Sequence, residues 1–269
     1  MQGRFLPLVD NRIQCFPGED WYLELELAKS LNFDLIEWTI DCHSMNKNPI
    51  LDLQQHENII DELTKHNIGL ESVTCDFFME RPPWESVTNH ELNQVILSRI
   101  GCFAEQIGNL KLVIPLVDNG SPPSTEVLFE VVFPMLEPFN GNFLSFIFES
   151  DFEPRRLGEI LGSLQGTPFG VNLDIGNSAA LGWDAQEEVK ALSDLIQNVH
   201  VKDRIRDGIS VRLGGGDADF STYLSTLKSI NYQGNFILQT ARSRSEDHYA
   251  ELSLNLQFLR SALDKAGYK

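Results

Sequence analysis

The chain has 269 residues, with 39 acidic against 21 basic side chains and a formal net charge of −18. This acidic balance argues against nucleic acid or an anionic membrane surface as a partner, because phosphate groups are bound through an excess of lysine and arginine. No apolar run is long enough to span a bilayer, and the first residues lack the pattern of a signal peptide. We therefore expect a cytoplasmic protein with a single domain over residues 1–269. Four widely spaced cysteines without a CxxC pair fit free thiols in a reducing compartment.

Short apolar runs alternate along the chain with longer segments of helical period, such as the one that places Leu23, Leu27 and Leu31 on one face. Eight such strand–helix units of about 34 residues predict a (β/α)8 TIM barrel, since a doubly wound sheet would usually show a glycine-rich turn after its first strand. The helix that contains Pro134 is expected to start, kink or break there. The predicted strands are residues 3–9, 33–40, 68–75, 110–117, 143–149, 169–175, 197–202 and 235–240.

Polar side chains stand at or near the ends of the last four predicted strands. Glu149 ends the fifth, Asp174 ends the sixth, His200 lies in the seventh and Gln239 lies in the eighth. The active sites of such barrels lie at the carboxyl ends of the strands. Each residue alone has an ordinary explanation; Asp174, for instance, could simply cap the next helix. Together, two carboxylates, an imidazole and an amide oxygen predict a site for one divalent metal ion, namely Mn, Zn, Co or Mg.

Three motifs carry a resemblance to a known family: LDIGNS (173–178), VHVKD (199–203) and LGGGDADF (213–220). They resemble the last three βα units of the xylose isomerase-like TIM barrels, nearest to the L-ribulose and L-xylulose 5-phosphate 3-epimerases. The resemblance covers essentially the whole chain and is specific in its C-terminal half. It implies a sugar or sugar-phosphate isomerase or epimerase that transfers a proton through an enediolate. The metal ligands implied by the resemblance are Glu149, Asp174, His200 and Gln239.

In the epimerases, the strand-five and strand-eight glutamates are also the acid and base catalysts, and Glu149 and Gln239 occupy those two catalytic positions. Gln239 departs from the pattern because an amide can offer an oxygen to a metal but cannot take a proton. Gly215 is a second departure, since the epimerases have an acidic residue there. Glu149 could act alone on one face, which would give aldose–ketose isomerisation, or the chain could bind a sugar without turnover. A neighbour could also supply the second base, the candidates being Asp203, Glu37 and His43.

Other chemistry stays open for this barrel. Lyase or dehydratase activity is an alternative, whereas endonuclease action is disfavoured by the negative charge and the lack of a richer metal cluster. Loops after strands seven and eight often hold phosphate in this fold, and five arginines follow those strands. They could bind a sugar phosphate or pair with surface carboxylates. These arginines are Arg204, Arg206, Arg212, Arg242 and Arg244.

The predicted substrate-binding residues lie near the expected strand ends, and two of them are aromatic side chains on which a sugar could stack. The proline-containing segment 79–90 is expected to form a long lid over the site. The expected partner is a small sugar or sugar phosphate, and a homodimer is the candidate assembly. The substrate-binding set is Arg4, Phe16, Glu37, Trp84, Asn177, Lys202, Asp203, Arg204 and Arg242.

Overall fold

The structure, a computed structural model, describes residues 1–2, 5–7, 15–139, 141, 143–164, 169–240 and 246–268. Its contacts group the chain into two compact units. The first, here called the N-terminal unit, comprises Cys15–Ser150 and Thr167–Phe169. The second, the C-terminal unit, comprises Met1–Gln14, Asp151–Gly166 and Gly170–Lys269. The expectation of a single domain stays a prediction.

Four parallel strands form the sheet of the N-terminal unit, in the order β1-β2-β3-β4. Their side chains are mostly buried and apolar, as in parallel strands that are covered on both faces. The polar exceptions therefore mark positions where a side chain needs a specific partner. The strands are β1 (Leu35–Ile40), β2 (Gly69–Cys75), β3 (Leu110–Leu116) and β4 (Leu144–Ser150).

Helices connect these strands, and local signals set their ends. Asn67, with φ +50°, ends α2 in the left-handed conformation that asparagine tolerates. The Ser86 hydroxyl accepts a hydrogen bond from the N–H of Asn89 and caps α4. Pro134 is the second residue of α6, which follows directly on a π turn, so the helix type changes beside this proline. The helices are α1 (Trp21–Ser30), α2 (His56–His66), α3 (Phe77–Glu80), α4 (Val87–Ile107), α5 (Thr125–Val127) and α6 (Phe133–Leu136), with a π turn Leu128–Val132 before α6.

Three further parallel strands form the sheet of the C-terminal unit, in the order β5-β6-β9, and a short antiparallel hairpin pairs β7 with β8. The strands are β5 (Gly170–Asp174), β6 (Ile196–Val201), β7 (Asp203–Arg204), β8 (Ser210–Val211) and β9 (Asn235–Leu238). The helices are α7 (Pro154–Gly162), α8 (Ile175–Leu181), α9 (Ala185–Leu192), α10 (Phe220–Ser229) and α11 (His248–Lys265).

Seven of the eight predicted strands are confirmed, each with both ends within two residues of the prediction. The eighth, residues 3–9, lies mostly outside the described residues. Just before it, the backbone N–H of Gln2 donates to the carbonyl of Leu238 at the end of β9 (3.0 Å). No helix among the described residues is long and apolar enough to cross a membrane.

A buried polar cluster joins three helices of the C-terminal unit. The carboxylate of Glu188 on α9 accepts hydrogen bonds from the Ser178 hydroxyl on α8 (2.8 Å) and the Tyr223 hydroxyl on α10 (2.6 Å). Burial raises the pKa of Glu188 to about 7, and the charge of Asp174 adds to the rise while the two hydroxyl donors oppose it. These hydrogen bonds connect α8, which begins directly after β5, to α9 and α10.

Candidate active site

Asp174 and His200 are paired residues on neighbouring strands, at the carboxyl ends of β5 and β6. Asp174 Oδ1 accepts the N–H of Asn177 (2.8 Å), so this oxygen caps α8. Its other oxygen, Oδ2, lies 4.0 Å from His200 Nδ1, and both side chains are almost completely buried. The capping role that Asp174 could have had from its sequence position therefore uses only one of its two oxygens.

Lys202 brings a buried cation to this carboxylate. Its Nζ lies 2.8 Å from Asp174 Oδ2 and donates a hydrogen bond to Gln239 Oε1 (3.0 Å). The contact with Asp174 is a short, buried ion pair. Gly176 makes room for the lysine, because a Cβ there would lie 2.8 Å from Lys202 Cγ. Asp174, Lys202 and Gln239 thus form one connected buried group beside His200.

The charges around Asp174 favour its ionised form. Burial by itself raises the pKa of this carboxyl, but the nearby Lys202 and His200 outweigh burial and hold the pKa below its ordinary value. An ionised carboxylate beside an imidazole is a donor pair suited to a divalent cation.

Two buried asparagines, which were not among the predicted site residues, lie two residues before Asp174 and His200 on the same strands. Asn172 on β5 and Asn198 on β6 are register partners, and the Asn198 amide donates to Asn172 Oδ1 (2.8 Å). By strand alternation they share a face with Asp174 and His200. The signal was available, since a polar side chain two residues before each candidate ligand interrupts an otherwise apolar run.

Asp203 has a structural role that the sequence analysis did not foresee. Its carboxylate accepts the backbone N–H groups of Gly214, Gly216 and Ala218, at 2.8, 2.9 and 3.2 Å. This arrangement gives no support to Asp203 as a second catalytic base, because its oxygens already hold the following loop.

The remaining substrate-binding candidates of the C-terminal unit differ in their surroundings. Arg204 donates to the side-chain oxygen of Asn177 (2.8 Å) and to the carbonyl of Gly208 (2.9 Å), so it binds to α8 and to its own hairpin. Arg4 and Arg242 lie outside the described residues, and their roles stay predictions.

In the N-terminal unit, the two candidate glutamates are both buried. Glu149 lies near the end of β4, and its membership of the metal-ligand set stays a prediction. Glu37 on β1 accepts hydrogen bonds from two hydroxyls of β2, those of Ser72 (2.6 Å) and Thr74 (2.7 Å). Neither donor was among the predicted site residues, and their hydrogen bonds tie Glu37 to the neighbouring strand. His43, the other candidate base in this unit, is exposed.

The two aromatic candidates are positioned differently from each other. Phe16 is buried and packs against Trp38, with ring centroids 5.2 Å apart, while its N–H donates to Asp41 Oδ2 (2.7 Å). Trp84 is half-buried in the short turn between α3 and α4. Both stay predictions as walls of a sugar pocket.

Residues 79–90 do not form the long loop that was expected, and their role as a lid stays a prediction. Residues up to Glu80 belong to α3 and α4 begins at Val87, so the irregular part is confined to 81–86. The Asn93 amide donates to the carbonyl of Arg81 (2.8 Å), which fastens this turn to α4. Consecutive prolines suggested a long loop, but here they occupy a compact turn between two helices.

Comparisons with known proteins agree with this architecture. A solved L-ribulose 3-epimerase superposes with a TM-score of 0.70 at 14% identity, covering 93% of this chain and 91% of that one. A xylose isomerase-like TIM barrel protein from Mycobacterium smegmatis, in complex with magnesium, gives a TM-score of 0.66 at 18% identity, over 90% of this chain and 89% of that one. At these identities the likeness shows the fold, which is a TIM barrel, as the sequence predicted.

The sequence model of the xylose isomerase-like TIM barrel family matches residues 97–262, more than half of the chain. The chain therefore belongs to the xylose isomerase-like TIM barrel family. It is also 34% identical over 101 residues to L-ribulose-5-phosphate 3-epimerase of Escherichia coli, covering 37% of this chain and 35% of that enzyme. The chain thus spans only about a third of the length of the first curated relatives that it matches.

Proposed function

We propose that this chain is a divalent-metal-dependent isomerase or epimerase of a sugar or sugar phosphate, which transfers a proton through an enediolate. The observation that carries the proposal is the register pairing of Asp174 with His200 at adjacent strand ends, with both side chains buried and 4.0 Å between Oδ2 and Nδ1. Membership of a family that includes sugar epimerases supports the same chemistry.

The donor atoms present suit a metal ion. Asp174 Oδ2 is a buried carboxylate oxygen that already attracts one cation, the Lys202 ammonium group, and an imidazole lies beside it. We propose Mn, Zn, Co or Mg as the ion, since carboxylate, imidazole and amide oxygen ligands fit all four. Glu149 and Gln239 complete the proposed set through the resemblance to the epimerases.

The chain's own residues have distinct proposed tasks. Glu149 removes a proton from the sugar carbon, and the divalent ion, when bound, polarises the substrate's carbonyl and neighbouring hydroxyl. Gln239 would offer its amide oxygen to the metal ion but moves no proton. Neither Asp203 nor Glu37 is supported as a second base, because the carboxylate of each is held by several donors of the chain. These contacts favour proton transfer on one face of the sugar.

A sugar-binding barrel without turnover is the second candidate. It is favoured by Gln239, which replaces a proton-transferring glutamate and accepts a hydrogen bond from Lys202. Such a protein would bind its sugar but would exchange no carbon-bound hydrogen with solvent.

The test is hydrogen exchange in D2O. The purified protein is incubated with Mn2+ and a panel of ketoses and ketose phosphates, and NMR follows the loss of C–H signals. Exchange that is abolished by Glu149→Gln supports the catalytic proposal, and the labelled carbon separates isomerisation from epimerisation. A protein that binds Mn2+ and sugar without exchange would be the binder. Gln239→Glu would then restore exchange in a degenerate epimerase, with Gln257→Glu on the exposed face of α11 as the matched control.

The proposed setting is the cytoplasm, with carbohydrate metabolism as the process and a homodimer as the assembly. The four cysteines, which form no disulfide, support a reducing compartment.

A further inference from the structure

The central backbone donors of the loop between β8 and α10 are already engaged within the chain. Each of six consecutive N–H groups already donates to an acceptor of the chain, at distances from 2.8 to 3.2 Å. Three of the six converge on the carboxylate of Asp203. The donors are Leu213, Gly214, Gly215, Gly216, Asp217 and Ala218, and the other acceptors are the Asn255 side chain and the carbonyls of Arg212 and Arg204.

The loop is built around the carboxylate of Asp203. Gly214 adopts φ +82°, a conformation that favours glycine. A Cβ on Gly216 would collide with Asp203 Oδ1 and lie 2.7 Å from the carbonyl of Arg204. The glycine-rich run therefore lets backbone amides close on an anion, as phosphate-binding loops do, but here the anion is the chain's own side chain.

Two of the three arginines between residues 203 and 219 also hold partners within the chain. The Arg204 guanidinium donates to Asn177 Oδ1 and to the carbonyl of Gly208. Arg212 makes a bidentate pair with Glu251, with N–O distances of 2.7 and 2.6 Å. The stretch from residue 203 to residue 219 holds four aspartates against three arginines, so its formal charge is negative.

We infer that the site takes an unphosphorylated sugar. The inference rests on the proposed function and narrows its substrate class. A phosphate dianion is bound through unoccupied backbone amides and arginine forks. In the described part of this region, six loop amides and the side chains of Arg204 and Arg212 already hold partners within the chain. A dianion would also meet the repulsion of Asp203 and Asp217. A neutral sugar suffers no such repulsion and needs no anion-binding donors.

The test compares matched pairs of ligands, L-ribulose with L-ribulose 5-phosphate and D-fructose with D-fructose 6-phosphate. Titration calorimetry of the full chain with Mn2+ gives the Kd of each, and exchange in D2O gives turnover. We expect each free sugar to bind at least as tightly as its phosphate, and inorganic phosphate to change the Kd of the sugar by less than about twofold. A phosphorylated sugar that binds about tenfold more tightly than its partner would overturn the inference and leave the proposed function standing.

Two variants sharpen the comparison. Because Arg212 is paired with Glu251, Arg212→Ala should leave the ratio of the two Kd values unchanged, as should Arg155→Ala on the surface of α7. A loss of sugar-phosphate binding confined to Arg212→Ala would contradict the inference. Failure of every sugar and every phosphate to bind would refute the proposed function, and this inference with it.

Discussion

The buried ion pair between Lys202 and Asp174 offers the sharpest perturbation of the site. Nζ and Oδ2 lie 2.8 Å apart, and the two side chains are only 8% and 1% exposed. Lys202→Met keeps most of the side-chain volume and removes the ammonium group, so it leaves a buried carboxylate without its nearest cation. Breaking a buried pair in this way costs about 3–5 kcal/mol, whereas a surface pair contributes about 0–1 kcal/mol. We therefore expect the variant to lose about 3 kcal/mol of unfolding free energy at pH 7 without metal.

The assay is urea unfolding of the chelator-treated protein, with Lys190→Met on the exposed face of α9 as the matched control. Mn2+ is then added to each protein. If the ion binds at Asp174, it replaces the missing cation, so Mn2+ should stabilise Lys202→Met more than the wild type.

Two results would contradict this reasoning. A loss below about 1 kcal/mol would mean that Lys202 contributes no more than a surface cation. Equal stabilisation of Lys202→Met and wild type by Mn2+ would mean that the ion and the ammonium group do not share Asp174 as a partner.

Three further predictions concern the same unit. Burial raises the pKa of Glu188 from its ordinary value of 4.5 to about 7. Between these two pH values the unfolded state ionises before the folded one, so the unfolding free energy should fall by about 3 kcal/mol as the pH rises. Unfolding of Glu188→Gln across pH 4–8 should lack this loss, the exposed neighbour variant Glu187→Gln should keep it, and a flat wild-type profile would refute the shift. Gly216→Ala should lower the unfolding free energy by about 2 kcal/mol or more, because its Cβ meets Asp203 and the backbone. Gly162→Ala, with nothing within 4 Å, should change it by less than about 0.5 kcal/mol, and equal effects would contradict the loop geometry. Asp174→Asn should weaken Mn2+ binding about 100-fold by calorimetry, and an unchanged Kd would remove this residue from the proposed metal site.

The strands of the barrel were accessible from the sequence because each is a short, mostly apolar run. The run 110–117, for example, became Leu110–Leu116, and the run 169–175 became Gly170–Asp174. Parallel strands that are buried on both faces consist of such continuous apolar stretches, so local composition is enough to locate them along the sequence. The predicted length of the loop in segment 79–90 was wrong because consecutive prolines indicate a turn but do not determine how many residues it contains.

The candidate site was only partly accessible. The motif around Asp174 and the position of His200 pointed to adjacent strand ends, and strand register explains why they meet. The hydrogen-bond partners of Asp203 and Glu37 were not predicted. The local sequence around a carboxylate near a strand end does not show whether it faces a ligand or accepts hydrogen bonds from backbone and hydroxyl donors of the chain.

The sequence by itself determined the alternating elements, the barrel class and the residue types at the strand ends, since these follow from local periodicity and from motifs a few residues long. Tertiary structure alone decided which polar groups satisfy one another. Lys202 reaches Gln239 across 37 residues of sequence, and the glycine loop closes on Asp203. Such pairings depend on which strands are neighbours in the sheet and on the space that a glycine leaves for a side chain distant in sequence. Neither is a property of any short stretch of the chain.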